Sequence, residues 1–115
     1  MIRKINERVT DVNPAMRGGP GEVIKTAIAS PEELMGKGRM YAVLRLEPGC
    51  GVGPHSHSGE TEIFLVLQGE AEYLDGDTVK TIRKGDVAIC PDGGTHSVTN
   101  TGTETAEIAA LILYA

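Results

Sequence analysis

The residues best suited to chemistry are three histidines and one glutamate in two stretches rich in glycine and proline. The first stretch contains His55, His57 and Glu62, the second contains His96, and the chain has no other histidine. Imidazole nitrogens and a carboxylate oxygen are suitable ligands for Mn, Fe, Ni, Cu or Zn, and nothing here selects soft thiolate chemistry. The sequence therefore predicts a site for one divalent transition metal.

The coordination geometry of the metal decides what such a site can do. An octahedral ion held by these four side chains keeps two positions open for water, O₂ or a chelating substrate. If the ion were tetrahedral zinc, the same four ligands would close the site. The residue types leave both options open.

The spacing of the four residues constrains the backbone that must carry them. His55 and His57 are two residues apart, so their side chains share one face of an extended segment. Glu62 follows five residues after His57 and would fall on the opposite face by simple alternation. We therefore expect residues 58–59, Ser-Gly, to supply a bend or bulge that corrects the parity. His96 must then come from an adjacent strand.

The elements that position these residues are predicted to be short β-strands. The chain of 115 residues has the length of one domain, and its 15 glycines and six prolines indicate many turns. About eight to ten strands separated by turn signals are typical of a sandwich or barrel. The main predicted strands are residues 23–29, 39–47, 60–68, 70–74, 78–82, 87–90, 95–99 and 104–114.

The predicted strand over residues 60–68 is apolar on both faces, so both faces should be covered. One face carries Glu62 and lines the interior with Phe64 and Val66. The opposite face must meet a second sheet or a second subunit. The residues of that outer face are Ile63, Leu65 and Leu67.

The N-terminal residues 1–22 show no sustained periodicity and are predicted to form an arm on a folded domain of residues 23–115. We expect one edge strand near residues 2–9 and loop structure over residues 16–21. The arm would pack on the body or on a partner subunit. Arg17 in this arm is either a bidentate ligand for a substrate carboxylate or an ordinary surface arginine.

Composition excludes several classes of partner. The net charge of −5 disfavours nucleic acid, which requires clustered lysine and arginine. No secretory apolar segment opens the chain, and no apolar run approaches the roughly 20 residues of a membrane span. Cys50 and Cys90 are too few for a disulfide framework and are read as small buried side chains. These features predict a cytoplasmic protein without a membrane partner.

The two glycine-rich stretches resemble the two motifs of the cupin family. The first resembles G(X)5HXH(X)3–4E(X)6G, and the second resembles G(X)5PXG(X)2H(X)3N. The gap of fifteen residues between them, 70–84, resembles the short spacing of microbial cupins. The matching residues are Gly49, His55, His57, Glu62 and Gly69 in the first motif, and Gly85, Pro91, Gly93, His96 and Asn100 in the second.

This resemblance implies an all-β double-stranded β-helix, or jelly-roll barrel. It further implies that His55, His57, Glu62 and His96 are the metal ligands and that the protein is a homodimer. The chain is similar to the small Mn- or Ni-binding cupins described as oxalate-decarboxylase-like. On this basis we expect manganese, with Fe, Ni, Zn and Cu as alternatives.

Two classes of function fit these residues. One is a metal-dependent enzyme, such as a dioxygenase or decarboxylase, acting on a small chelating organic acid. The other is a non-catalytic module that binds a sugar or an acid, or senses metal. Glu60 is the candidate acid/base of the first class or an alternative metal ligand, and its other interpretation is an ordinary solvated carboxylate. Tyr73 is expected to pack, and Asn100 is expected to cap a turn.

Overall fold

The computed structural model describes all 115 residues and contains ten β-strands, two short 3₁₀ helices and no α-helix. No helix is long and apolar enough to cross a membrane. The 3₁₀ helices are Ile5–Glu7 and Met16–Gly18. The strands are Thr10–Pro14 (β1), Glu22–Ala29 (β2), Gly38–Leu46 (β3), Gly51–Ser56 (β4), Glu60–Gln68 (β5), Glu70–Asp75 (β6), Thr78–Arg83 (β7), Val87–Cys90 (β8), Thr95–Thr99 (β9) and Ala106–Tyr114 (β10).

The strands form two antiparallel sheets that pack face to face. The larger sheet has the order β1-β2-β3-β10-β5-β8, and the smaller has the order β4-β9-β6-β7. The last strand, β10, lies between β3 and β5, so the C-terminal segment completes the centre of the larger sheet. The predicted all-β architecture is confirmed.

The hydrophobic core fills the space between the sheets because the strands alternate as predicted. On β3, Leu44 and Leu46 are buried while Arg45 between them is exposed. On β5, the predicted inner residues Phe64 and Val66 are only 2% and 1% exposed. The remaining members of the core cluster are Val23, Val52, Ala71, Tyr73, Ile82, Ala88, Val98, Ala106, Ile108 and Ala110.

The predicted edge strand near residues 2–9 is wrong. This segment contains the 3₁₀ helix Ile5–Glu7, and the edge strand is β1, which pairs with β2. The Arg8 guanidinium donates hydrogen bonds to the carbonyls of Ala27 and Thr26 on β2, at 2.8 and 3.2 Å. The Arg8 side chain thus binds carbonyl groups of β2 in place of the backbone of a longer N-terminal strand.

The turn after β9 depends on Asn100, which is fully buried. Its side-chain amide donates to the carbonyls of Leu46 and Glu104, at 2.8 and 2.7 Å. Its side-chain oxygen accepts from the Gly102 amide at 2.9 Å. Asn100 therefore fixes the connection between β9 and β10, as expected of a capping residue.

The outer face of β5 is not covered by a second sheet. Cross-strand pairing places Ile63 beside Ile89 and Leu65 beside Val87. Ile89, Val87 and Leu65 are 57%, 56% and 39% exposed, and Leu67 is 39% exposed. The chain by itself therefore leaves a connected apolar surface on the outside of the larger sheet.

Candidate metal centre

The structure brings together the four side chains that the sequence selected. One potential ligand atom from each of His55, His57, Glu62 and His96 lies within 4.8 Å of the others. His96 Nε2 lies 3.0 Å from His57 Nε2, 3.1 Å from His55 Nε2 and 2.9 Å from Glu62 Oε1. The distance between His57 Nε2 and Glu62 Oε1 is 3.1 Å. Three imidazoles and one carboxylate thus face a common point.

Strand register and one glycine produce this convergence. His55 on β4 lies directly opposite His96 on β9. His57 follows the end of β4, and the connection to β5 passes through Gly59, which has a φ of 74°. This left-handed turn suits glycine and brings Glu62 onto the same inner face as the histidines. The predicted parity correction over residues 58–59 is confirmed.

Neighbouring groups fix the orientation of two of the rings. His55 Nδ1 donates to the Gly53 carbonyl at 2.8 Å, which requires the proton to be on Nδ1. His96 Nδ1 lies 2.9 Å from the Tyr73 hydroxyl. Neutral rings that carry their proton on Nδ1 present an unprotonated Nε2 to the common point. Tyr73 therefore has a second role that the packing interpretation missed.

The third ring is held by a charged pair. His57 Nδ1 lies 2.7 Å from Glu60 Oε1, and Arg39 binds both oxygens of Glu60 at 2.7 and 2.8 Å. The hydrogen bonds from Arg39 lower the pKa of Glu60 to about 2, so this carboxylate is an acceptor at neutral pH. His57 must then donate its Nδ1–H. The sequence carries no signal for this role of Arg39, because its partner is 21 residues away on another strand.

The donor atoms fit a divalent transition metal. Glu62, His57 and His96 are only 4%, 2% and 1% exposed. Burial lowers the pKa of His55, which favours the neutral ring that a metal requires. Ligands about 2.1 Å from an ion are separated by roughly 3.0 Å at adjacent octahedral positions and roughly 3.4 Å in a tetrahedron. Four of the six separations between the donor atoms are 2.9–3.1 Å and all six are within 4.8 Å, so the four atoms are close enough to share one ion.

A small cavity of about 50 Å³ adjoins this cluster. One side of the cavity is formed by His55, His57 and Glu62, and two arginines, Arg17 and Arg39, also line it. The remaining lining residues are apolar: Met16, Met40, Leu44, Val52, Phe64 and Ile112. A ligand in this cavity would touch the candidate metal ligands, positive charge and apolar side chains at once.

Two further residue types near the site have structural roles. The Phe64 ring stacks on the His96 ring with centroids 5.3 Å apart, which supports the predicted apolar floor. Cys50 and Cys90 are free thiols, and burial raises the pKa of Cys90. Neither sulfur belongs to the four-residue cluster, so the site has only nitrogen and oxygen donors.

Comparison with known proteins agrees with the motifs and the fold. Residues 42–114 match the family model described as Cupin domain. The chain belongs to the cupin family. It is 41% identical over 113 residues to the oxalate-binding protein of Thermotoga maritima, covering 98% of this chain and 93% of that protein.

Two solved structures are similar to this protein over all or nearly all of its chain. A crystal structure of a predicted oxalate decarboxylase from Thermotoga maritima has a TM-score of 0.96 and 36% identity, with complete coverage of both chains. A protein from Klebsiella pneumoniae with a double-stranded β-helix domain has a TM-score of 0.72 and 24% identity, covering 98% of this chain and 89% of that one. The predicted double-stranded β-helix fold is confirmed.

The contact between His57 and Glu60 leads to a spectroscopic prediction. In protein labelled with ¹⁵N at histidine, the Nδ1–H proton of His57 should resonate far downfield and exchange slowly, because the buried ring donates to a partly buried, ionised carboxylate. Glu60→Ala should abolish this signal, and Glu60→Gln, which keeps an acceptor oxygen, should partly retain it. An unchanged signal in Glu60→Ala would show that the carboxylate does not hold the ring.

Proposed function

We propose that this cupin holds one divalent transition metal through His55, His57, Glu62 and His96, and that it binds a small chelating organic acid of the oxalate class there. The observation that carries the proposal is the convergence of three Nε2 atoms and one carboxylate oxygen beside a small cavity. A bound metal would supply positive charge and open coordination positions for the oxygens of such an acid. The 41% identical Thermotoga maritima protein is named for oxalate binding.

The metal we propose is manganese. The donors are nitrogen and oxygen atoms without sulfur, and four of their separations, 2.9–3.1 Å, are near the spacing of adjacent octahedral positions. Iron, nickel, copper and zinc share these ligands, so the supply of metal in the cell would contribute to selection. The small cavity and its apolar lining favour a compact acid over a sugar, whose hydroxyl groups would need several polar partners.

We propose binding rather than proton-transfer catalysis as the primary function. Glu60, the candidate acid/base, is tied to both Arg39 and His57, and its low pKa makes it a poor proton donor or acceptor at neutral pH. Glu60 does not line the cavity, and Glu62, the one carboxylate that does, would be a metal ligand. We therefore assign Glu60 a positioning role toward His57. A decarboxylase or dioxygenase is the second candidate, favoured by the structural relative described as a predicted oxalate decarboxylase.

Calorimetry with oxalate distinguishes these functions. Protein loaded with manganese should bind oxalate, and metal-free protein should not. Ion chromatography after incubation in air should recover the oxalate intact if the protein only binds it. Loss of oxalate with release of formate or CO₂ would establish the enzyme instead. An absence of oxalate binding by fully loaded protein would refute the proposed ligand class.

Removal of one ligand tests the metal site itself. His96→Ala should weaken metal affinity more than about tenfold, because losses of supporting residues alone already cost 10–100-fold. Affinity is measured by competition with a chromogenic chelator, and bound metal by elemental analysis. Ser97→Ala is the matched control, since Ser97 is adjacent on β9 and outside the cluster. Equal metal content in the two variants would contradict the assignment.

We further propose that the protein is a cytoplasmic homodimer. The free thiols of Cys50 and Cys90 are consistent with a reducing compartment. The exposed apolar surface formed by β5 and β8 supports a second copy as its cover, because a sheet face of this composition is normally buried.

The dimer proposal makes a prediction about one side chain on that surface. Ile89→Lys should shift the sedimentation coefficient to that of a monomer, because it would place a charge in an apolar interface. Val79→Lys is the control: Val79 is 55% exposed, close to the 57% of Ile89, but lies on the smaller sheet. A monomeric wild-type protein, or identical behaviour of the two variants, would argue against this interface.

A further inference from the structure

The 3₁₀ helix Met16–Gly18 places the exposed residue Arg17 among the residues that line the cavity. This segment packs against β4, where the two backbones approach very closely. A Cβ atom on Gly19 would lie 2.6 Å from the Gly53 amide nitrogen, and a Cβ atom on Gly53 would collide with the Arg17 carbonyl. The two glycines therefore allow the segment to sit directly over the strand that bears His55.

Arg17 holds an unfavourable backbone conformation in this position. Its φ and ψ are 53° and 30°, in the left-handed region that residues with a Cβ atom rarely adopt. Ala15, two residues earlier, also has a positive φ of 50°. Such conformations persist where the surrounding structure imposes them, and they concentrate at functional sites. Here the imposed conformation directs an arginine to the cavity.

The two arginines at the cavity differ in whether their guanidinium groups are free to bind a ligand. Arg39 makes two hydrogen bonds with Glu60, and that carboxylate neutralises it. Arg17 is an exposed residue that also lines this cavity. Its guanidinium makes no hydrogen bond or ion pair within the chain. Arg17 is therefore the cation beside the four candidate metal ligands that has no carboxylate partner. A planar guanidinium with free N–H groups matches the two oxygens of a carboxylate.

We propose that Arg17 is the residue that selects dicarboxylates, by binding ligand carboxylate oxygens that point away from the metal cluster. This inference rests on the proposed function, since the cluster must hold the other side of the ligand. The net charge of the site would favour a dianion. A divalent metal would leave one positive charge after Glu62 is neutralised, and Arg17 would add a second. A monocarboxylate that reaches only the metal would gain nothing from Arg17.

The experiment compares ligand affinities in manganese-loaded wild-type, Arg17→Gln and Arg17→Lys proteins. Arg17→Gln should weaken oxalate binding about tenfold or more, as expected for loss of charge-assisted hydrogen bonds. Its manganese affinity and its weak acetate binding should remain within about twofold of wild type. Arg17→Lys should recover part of the oxalate affinity, because it restores the charge without the planar fork.

Two further variants separate this role from effects on folding. Arg17→Gly should relieve the left-handed backbone, so its melting temperature should equal or exceed that of wild type while oxalate binding falls as in Arg17→Gln. Arg83→Gln, on β7 of the smaller sheet, should bind oxalate like wild type. Equal oxalate affinity in Arg17→Gln and wild type would overturn the Arg17 proposal alone. Failure of loaded wild-type protein to bind oxalate would overturn this proposal together with the proposed function.

Discussion

The structure depends on one constraint: three imidazole rings must direct Nε2 toward the same point inside a small sandwich. A buried ring nitrogen without a partner is costly, so each Nδ1 requires its own hydrogen-bond partner. The Gly53 carbonyl and the Glu60 carboxylate accept from His55 and His57, and the Tyr73 hydroxyl is the partner of His96 Nδ1. These partners lie on β4, β5 and β6, so both sheets hold the site.

The apolar surroundings strengthen the same arrangement. Phe64 stacks on His96, and the interior on this side is largely aliphatic. In such surroundings a charged imidazole is disfavoured, which agrees with the lowered pKa of His55. Neutral rings are the form that binds metal, so the core that stabilises the sandwich also prepares the ligands. A domain of this size has a limited core, and metal binding would add stability to it.

The charged groups around the cavity divide into two kinds. In the Arg39–Glu60 pair the two charges neutralise each other, and the Glu60 carboxylate orients the His57 ring. Arg17 has no partner within the chain, and the close approach of Gly19 to Gly53 keeps its segment on β4 beside the cavity. The proposed function and the proposed role of Arg17 therefore give ring orientation and anion binding to different residues.

The sequence by itself determined the class of fold, most strands and the four-residue cluster. Strand β5 was predicted within its observed bounds because Glu62, Phe64 and Val66 alternate with outward residues, and the motif spacing selected the four clustered side chains. Only the tertiary structure decided the N-terminal strand, the partners Arg39 and Tyr73, and the contact of Glu60 with His57. Alternation and turns are local properties that a sequence displays directly. The pairing of Arg39 with Glu60, or of Tyr73 with His96, depends on strand order and register, which bring together residues that are far apart in the chain.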